Sequence, residues 1–272
     1  MADLVPLAET GVWAAQIHQR PVGEPLTGGP PDLAADQGFA NVQAQQLANR
    51  TGFLKGKVDA IAFNMRLLTS SGNYVKPTGL RYARFIAIGA GAGGGGGTPN
   101  NGDSGGGGGG GGGAAIRLYA ASDLAASIPY VIGAAGQKGF LNADGTAGGD
   151  TTILGLVGGG GKRGRASVGQ STQAGAAGGT PTGGQLNVPG GPGGVGLPSL
   201  TATVTNDTIG GSGGNAAWIG SGGAYGVAES SDGGTDASGY GGGGSGGPSY
   251  SGAGGRGGGN GAPGLIIVEE FF

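Results

Sequence analysis

The chain has no cysteine and a single histidine, His18. Without cysteine there is no disulfide framework and no thiolate metal site. With one histidine in a proline-rich stretch, a Ser-His-Asp catalytic machine has no base placed to serve it. Charge is scarce: 11% of 272 residues are charged and the formal net charge is −2. No basic field points to nucleic acid or an anionic membrane. No apolar run approaches the ~20 residues that span a bilayer. The first residues, MADLVPLAETGVWAAQ, lack a basic region ahead of an apolar one, so no signal peptide is expected. Synthesis in a cytoplasm follows. Nothing implies a cofactor.

What the chain has is glycine, 74 residues of it, where soluble domains average about 7%. Only nine precede Gly89 and none follows Gly264. The composition thus divides an ordinary N-terminal part from a glycine-dominated remainder with few large side chains. Residues 1–40 are rich in proline and glycine and read as an extended arm that needs a partner surface. In residues 41–70, Ala44, Leu47, Thr51, Leu54, Val58, Ile61, Met65 and Leu68 recur at spacings of three and four. This predicts a helix with an a/d seam, begun by Asn41 as N-cap and weakened by Gly52 and Gly56. A lone helix would expose the seam. Self-association through Leu47, Leu54, Val58, Ile61, Met65 and Leu68 covers it; packing on the chain's own arm is the alternative.

Residues 71–272 form the glycine-rich domain. RYARFIAI, ending at Ile88, and GLIIVEEFF (264–272) read as strands that bracket the glycine runs, within 80–88 and 264–268, and would pair to close the base. The insertion at 114–133 reads as two strands around a turn, and GDTTILGL (149–156) as another strand. The nine-glycine run 105–113 and the irregular spacing exclude collagen. A flexible linker would need neither flanking strands nor Trp218 and several tyrosines. The expected fold is therefore mostly outside ordinary α or β classes. It consists of an extended arm, a short trimeric coiled-coil-like helix, and strands framing a bundle of polyglycine type II helices. In such a bundle, backbone hydrogen bonds replace an apolar core.

Familiar motifs fail on context. Gly89-x-Gly91-x-x-Gly94 follows a strand but no helix can start after it, so a dinucleotide site is not supported. LVGGGGKRG has Leu156 and Arg163 where a phosphate loop needs Gly and Ser or Thr. NADGTAGGD (142–150) lacks the residue order of a calcium loop. The acids Asp123, Asp144, Asp150, Asp207, Glu229, Asp232 and Asp236 could supply a glycosidase pair, but read better as solvated turns. Polyglycine offers no recognition chemistry, so specificity should sit in loop tips. Lys162, Arg163, Arg165, Trp218, Ile219, Tyr225, Tyr240 and Tyr250 are the candidates, since tyrosine among Ser, Gly and Asn suits binding loops. Capping of the bundle ends by the same aromatics is the alternative.

FANVQAQQLANRTGFLKGKVDAI (39–61) resembles the N-x-x-A-x-x-L-x-N-R-T-x-x-L-K segment of bacteriophage tail-fibre proteins. SSGNYVKPTGLRYARFIAIGAGAGGGGG (70–97) resembles the entry to their glycine-rich C-terminal domain. PYVIGAAGQKG, GTAGGDTTILGLVGGGG and GAPGLIIVEEFF fit the same domain, so the resemblance covers residues 39–272. It implies a receptor-binding tail-fibre tip, located in the virion and without enzymatic activity. It implies a homotrimer, with a single copy seated on a trimeric fibre as the alternative, and an arm that attaches to other tail, baseplate or fibre proteins. The receptor would be a bacterial outer-membrane protein, pilus or glycan. The chain departs from long fibres in having no extended shaft. A structural connector without a receptor role is the main alternative, and a polysaccharide depolymerase a lesser one.

Overall fold

The computed structural model describes residues 47–56, 63–98, 104–169, 171–198, 208–224, 233–249 and 256–272. The chain divides into two compact units, residues 1–63 with Phe272 and residues 64–271. In the first, residues 47–56 form helix α1, with Leu47 and Leu54 exposed. The arm, Asn41, Ala44, Val58 and Ile61 lie outside the described residues.

The predicted helical seam does not continue to residue 68. Met65 and Leu68 lie in strand β1 (Phe63–Leu68). The cause is Glu270, a buried carboxylate that receives hydrogen bonds from Asn64 Nδ2 (2.7 Å), Tyr74 Oη (2.8 Å) and Arg66 Nη1 (3.3 Å). Asn64 and Arg66 reach one acceptor from one face only at the two-residue period of a strand. A helix would swing them roughly 200° apart. Burial and the hydrogen bond to Glu270 push the Tyr74 hydroxyl well above its ordinary range, so it stays a neutral donor.

The remaining strands are β2 (Gly72–Val75), β3 (Tyr82–Ile88), β4 (Ala114–Ala120), β5 (Ser127–Val131), β6 (Thr151–Ile153), β7 (Leu156–Gly158), β8 (Leu186–Val188) and β9 (Leu265–Phe271). They build two antiparallel sheets, ordered β1-β9-β3-β4-β8 and β2-β5-β6-β7. The insertion at 114–133 does give two strands about a short 3₁₀ turn, but each joins a different sheet. Residues 151–158 make a hairpin rather than one strand. Leu154 (φ 52°) and Gly155 (φ 76°) form its two-residue turn, both with the positive φ that suits strand twist.

On β3, Ala83, Phe85 and Ala87 are buried on one face of the sheet, together with Val268 and Ile266 of β9. Phe85 meets Tyr74 and Tyr119 edge-on, at centroid distances of 5.2 and 5.8 Å. The other face carries Ile86, Ile88, Ala114, Ile116, Leu265 and Ile267, against which Ala216, Ala217 and Tyr240 pack.

The glycine runs are ordered by hydrogen bonds that rotate with a period of three. In residues 89–97, Gly89, Ala92 and Gly95 donate to Gly113, Gly110 and Gly107. Ala90, Gly93 and Gly96 donate to Gly149, Thr146 and Ala143, and Gly91, Gly94 and Gly97 to Ala262, Gly259 and Arg256. Their carbonyls accept from 136–142, from 161–167 and from 244–247. The segment is thus enclosed on all sides by other backbone, and every residue of it is buried. Residues 105–113 are enclosed likewise, by 89–95, 159–165, 176–179, 191–197, 211–217 and 241–247. This is why that run is pure glycine. A Cβ on Gly108 would lie 1.9 Å from the Ser212 carbonyl oxygen, and one on Gly94 1.9 Å from that of Ser245. Where carbonyl register fails, side chains supply the acceptor: Asp144 for Ala166 N–H (2.9 Å), Asp150 for Gly160 (2.7 Å) and Asp236 for Asn260 (2.6 Å).

Candidate functional site

The bundle has two unlike ends. Segments 89–97, 133–139, 158–167, 190–197 and 241–249 leave the sheets, while 105–113, 143–149, 173–180, 208–217 and 256–262 return to them, as the antiparallel pairings show. Every connection between an outgoing and a returning segment therefore starts and finishes at the end away from the sheets. There Thr98, Ser104, Thr208 and Ser249 are buried together. Ser249 Oγ accepts from Thr98 N–H (3.0 Å) and donates to the Ser104 carbonyl (2.8 Å), and Thr208 Oγ1 accepts from Ser249 N–H (2.7 Å). This network ties four segment ends through small hydroxyl side chains.

The same end exposes apolar side chains. Phe140 and Val168 are each 69% exposed, and Leu141 and Val195 are also exposed. Phe140 and Leu141 begin the tight turn from 139 to 143, in which Asn142 takes a positive φ of 56° and Ala143 N–H bonds the Phe140 carbonyl. Lys138 Nζ stands 5.9 Å from the Phe140 ring. Exposed aromatic and aliphatic groups beside a cation can hold a ligand that has both apolar and anionic parts.

The residues singled out from sequence are scattered. Lys162, Arg163 and Arg165 are not at a loop tip. They are exposed along segment 158–167, where the Lys162 and Arg165 carbonyls accept from Gly110 and Gly107. They line a groove of about 450 Å³ floored by Ala174–Ala177. Arg163 pairs with Asp144 at 3.1 Å; no ion pair of Lys162 or Arg165 occurs among the described residues. Trp218 and Ile219 lie at the sheet end, exposed on the turn that Gly220 makes with φ 105°. Tyr240 is also there, packed on the sheet core, as a cap would be. Tyr225 and Tyr250 lie outside the described residues. Phe140 and Leu141 escaped the sequence reading, although two adjacent large apolar residues in the turn-rich run QKGFLNADG were the available signal.

Among the described residues, no three His, Cys, Asp or Glu side chains converge as a metal site, and no helix is long and apolar enough to cross a membrane. No curated protein matches the chain in sequence. The glycine-rich domain family model matches residues 69–270, from just after β1 to the penultimate residue of β9, and the chain belongs to that family.

Proposed function

We propose that the chain is an adhesin of a phage or phage-tail-like particle, which binds a bacterial surface receptor without chemistry. In this reading the glycine region is a polyglycine II bundle. The three-residue rotation of its hydrogen bonds supports this, since such chains have three residues per turn. The bundle is a rigid post on which recognition groups stand. Residues 1–40 attach to other tail, baseplate or fibre proteins, and the protein acts in the virion as a homotrimer. Three copies would raise avidity, by as much as 10²–10⁴ over one site.

One observation carries the reading. The outgoing and returning segments gather their connections, with exposed Phe140, Leu141, Val168 and Val195, at the end opposite the sheets. The chain enters this unit through β1, beside β9 in the sheet. Recognition is therefore assigned to the end remote from entry, with the Lys162–Arg165 groove as a lateral contact for an anionic glycan. A depolymerase is the lesser reading: of the acids that could serve it, Asp144, Asp150 and Asp236 are engaged as acceptors for backbone N–H groups, while Asp207, Glu229 and Asp232 lie outside the described residues. The test is binding of the fluorescently labelled full chain to a panel of bacterial strains. Binding that falls at least tenfold on Phe140→Ser with Leu141→Ser supports the reading; no binding to any strain, or binding indifferent to both changes, counts against it.

A further inference from the structure

The five-stranded sheet leaves half of one face uncovered. Residues opposite one another in register share a face. Thus Tyr82 and Phe271, Arg84, Leu118 and Glu269, and Ile86, Ile116, Ile267 and Leu186 stand together. Ala216, Ala217 and Tyr240 cover the half nearest the glycine bundle. In the other half Tyr82, Leu118 and Leu186 are about half exposed. They and Arg84 surround a hollow of about 520 Å³. Asn64 and Arg66 of β1 turn inward to Glu270, so Met65 and Leu67 stand on this outer face, each more than half exposed. Exposed apolar side chains that lie together on one face are the kind of surface that marks an interaction site.

We propose that this face joins copies of the chain, the β1 edge of one copy seated in the hollow of the next. The face is complementary to itself. Its β1 side presents unpacked Met65 and Leu67, and its β4–β8 side a recess lined by Leu118 and Leu186. The charged groups within it, Arg84 and Glu269, pair with each other, which leaves nothing to attract a charged ligand. Edge into hollow is a head-to-tail contact, which closes into a ring when the rotation allows. The proposal stands on the sheet face and holds whether or not the chain is an adhesin.

The absence of native cysteine makes a direct test simple. β1 and β8 are opposite edges of the sheet, about 19 Å apart at ~4.8 Å per strand spacing. A disulfide needs Cα atoms within about 7 Å. A bond between positions 67 and 186, or 67 and 118, must therefore link two copies. Full-length double variants Leu67→Cys with Leu186→Cys and Leu67→Cys with Leu118→Cys are oxidised at micromolar concentration, beside each single variant. The expected result is a ladder of linked multimers from at least one double variant and none from the singles. In light scattering the unmodified chain should exceed its 25.6 kDa monomer mass. Leu186→Glu should weaken association at least tenfold with an unchanged melting curve, since Leu186 is exposed. A monomeric chain overturns the proposal. Linked dimers from Leu67→Cys alone overturn the edge-into-hollow arrangement.

Discussion

The sheets and the glycine bundle solve one problem by opposite means. In the sheets, side chains alternate between faces and bury large apolar groups: Phe85, Ile86, Ile88, Leu156, Leu265 and Ile266. Backbone pairing there is lateral only. In the bundle, backbone lies against backbone in every direction around 105–113, which carries no side chain, and around 89–97, which carries only the buried methyl groups of Ala90 and Ala92. The sheet gains from the size of its residues. The bundle gains from their absence, because each removed Cβ lets another carbonyl approach and pair a buried N–H. A single methyl group added to the all-glycine run should therefore cost at least as much as removing a large buried side chain from the sheet.

The largest expected effect comes from adding a single methyl group to the bundle. Gly108→Ala would place Cβ 1.9 Å from the Ser212 carbonyl oxygen. Neither chain can yield without breaking hydrogen bonds to further segments. A loss above ~4 kcal/mol is expected, seen as failure to fold or a collapse of the melting temperature. If Gly108→Ala melts like the parent, the enclosed packing of this run is wrong. In the sheet, a far greater change should cost less than that collapse or match it at most. Phe85→Ala removes a buried ring between Tyr74 and Tyr119 and is expected to cost about 3–5 kcal/mol in denaturant titration. The smallest effect concerns Glu270. Glu270→Leu keeps the volume but leaves the buried Tyr74 hydroxyl without its acceptor, at about 1–3 kcal/mol. A neutral result there would mean that the three donors contribute nothing net.

The same contrast explains what could be read in advance. β3 and β9 were legible because RYARFIAI and LIIVEEF carry β-branched and aromatic residues with clear ends. Their mutual register follows in the structure. That glycine segments would be backbone-packed could be argued from the run 105–113, but not which segments are neighbours, since glycine carries no pattern that records a partner. β1 was misread because Met65 and Leu68 continue a spacing of three and four, while the evidence for a strand sat 206 residues away, in Glu270. The candidate site was legible only in composition. Trp218 and Tyr240 have the right chemistry for recognition, yet the chain path puts both at the sheet end. Phe140 and Leu141 gain significance only once the direction of each segment is known.

Recognition at the end remote from the sheets is most directly tested by comparing two matched pairs of substitutions in cell binding. Phe140→Ser with Leu141→Ser alters the remote end, and Trp218→Ser with Ile219→Ser alters the sheet end; all four residues are exposed. Flow cytometry with the labelled full chain on a strain that it binds should show at least a tenfold loss for the first pair and binding within twofold of the parent for the second. Loss confined to the Trp218 and Ile219 pair would contradict the assignment and put recognition at the sheet end.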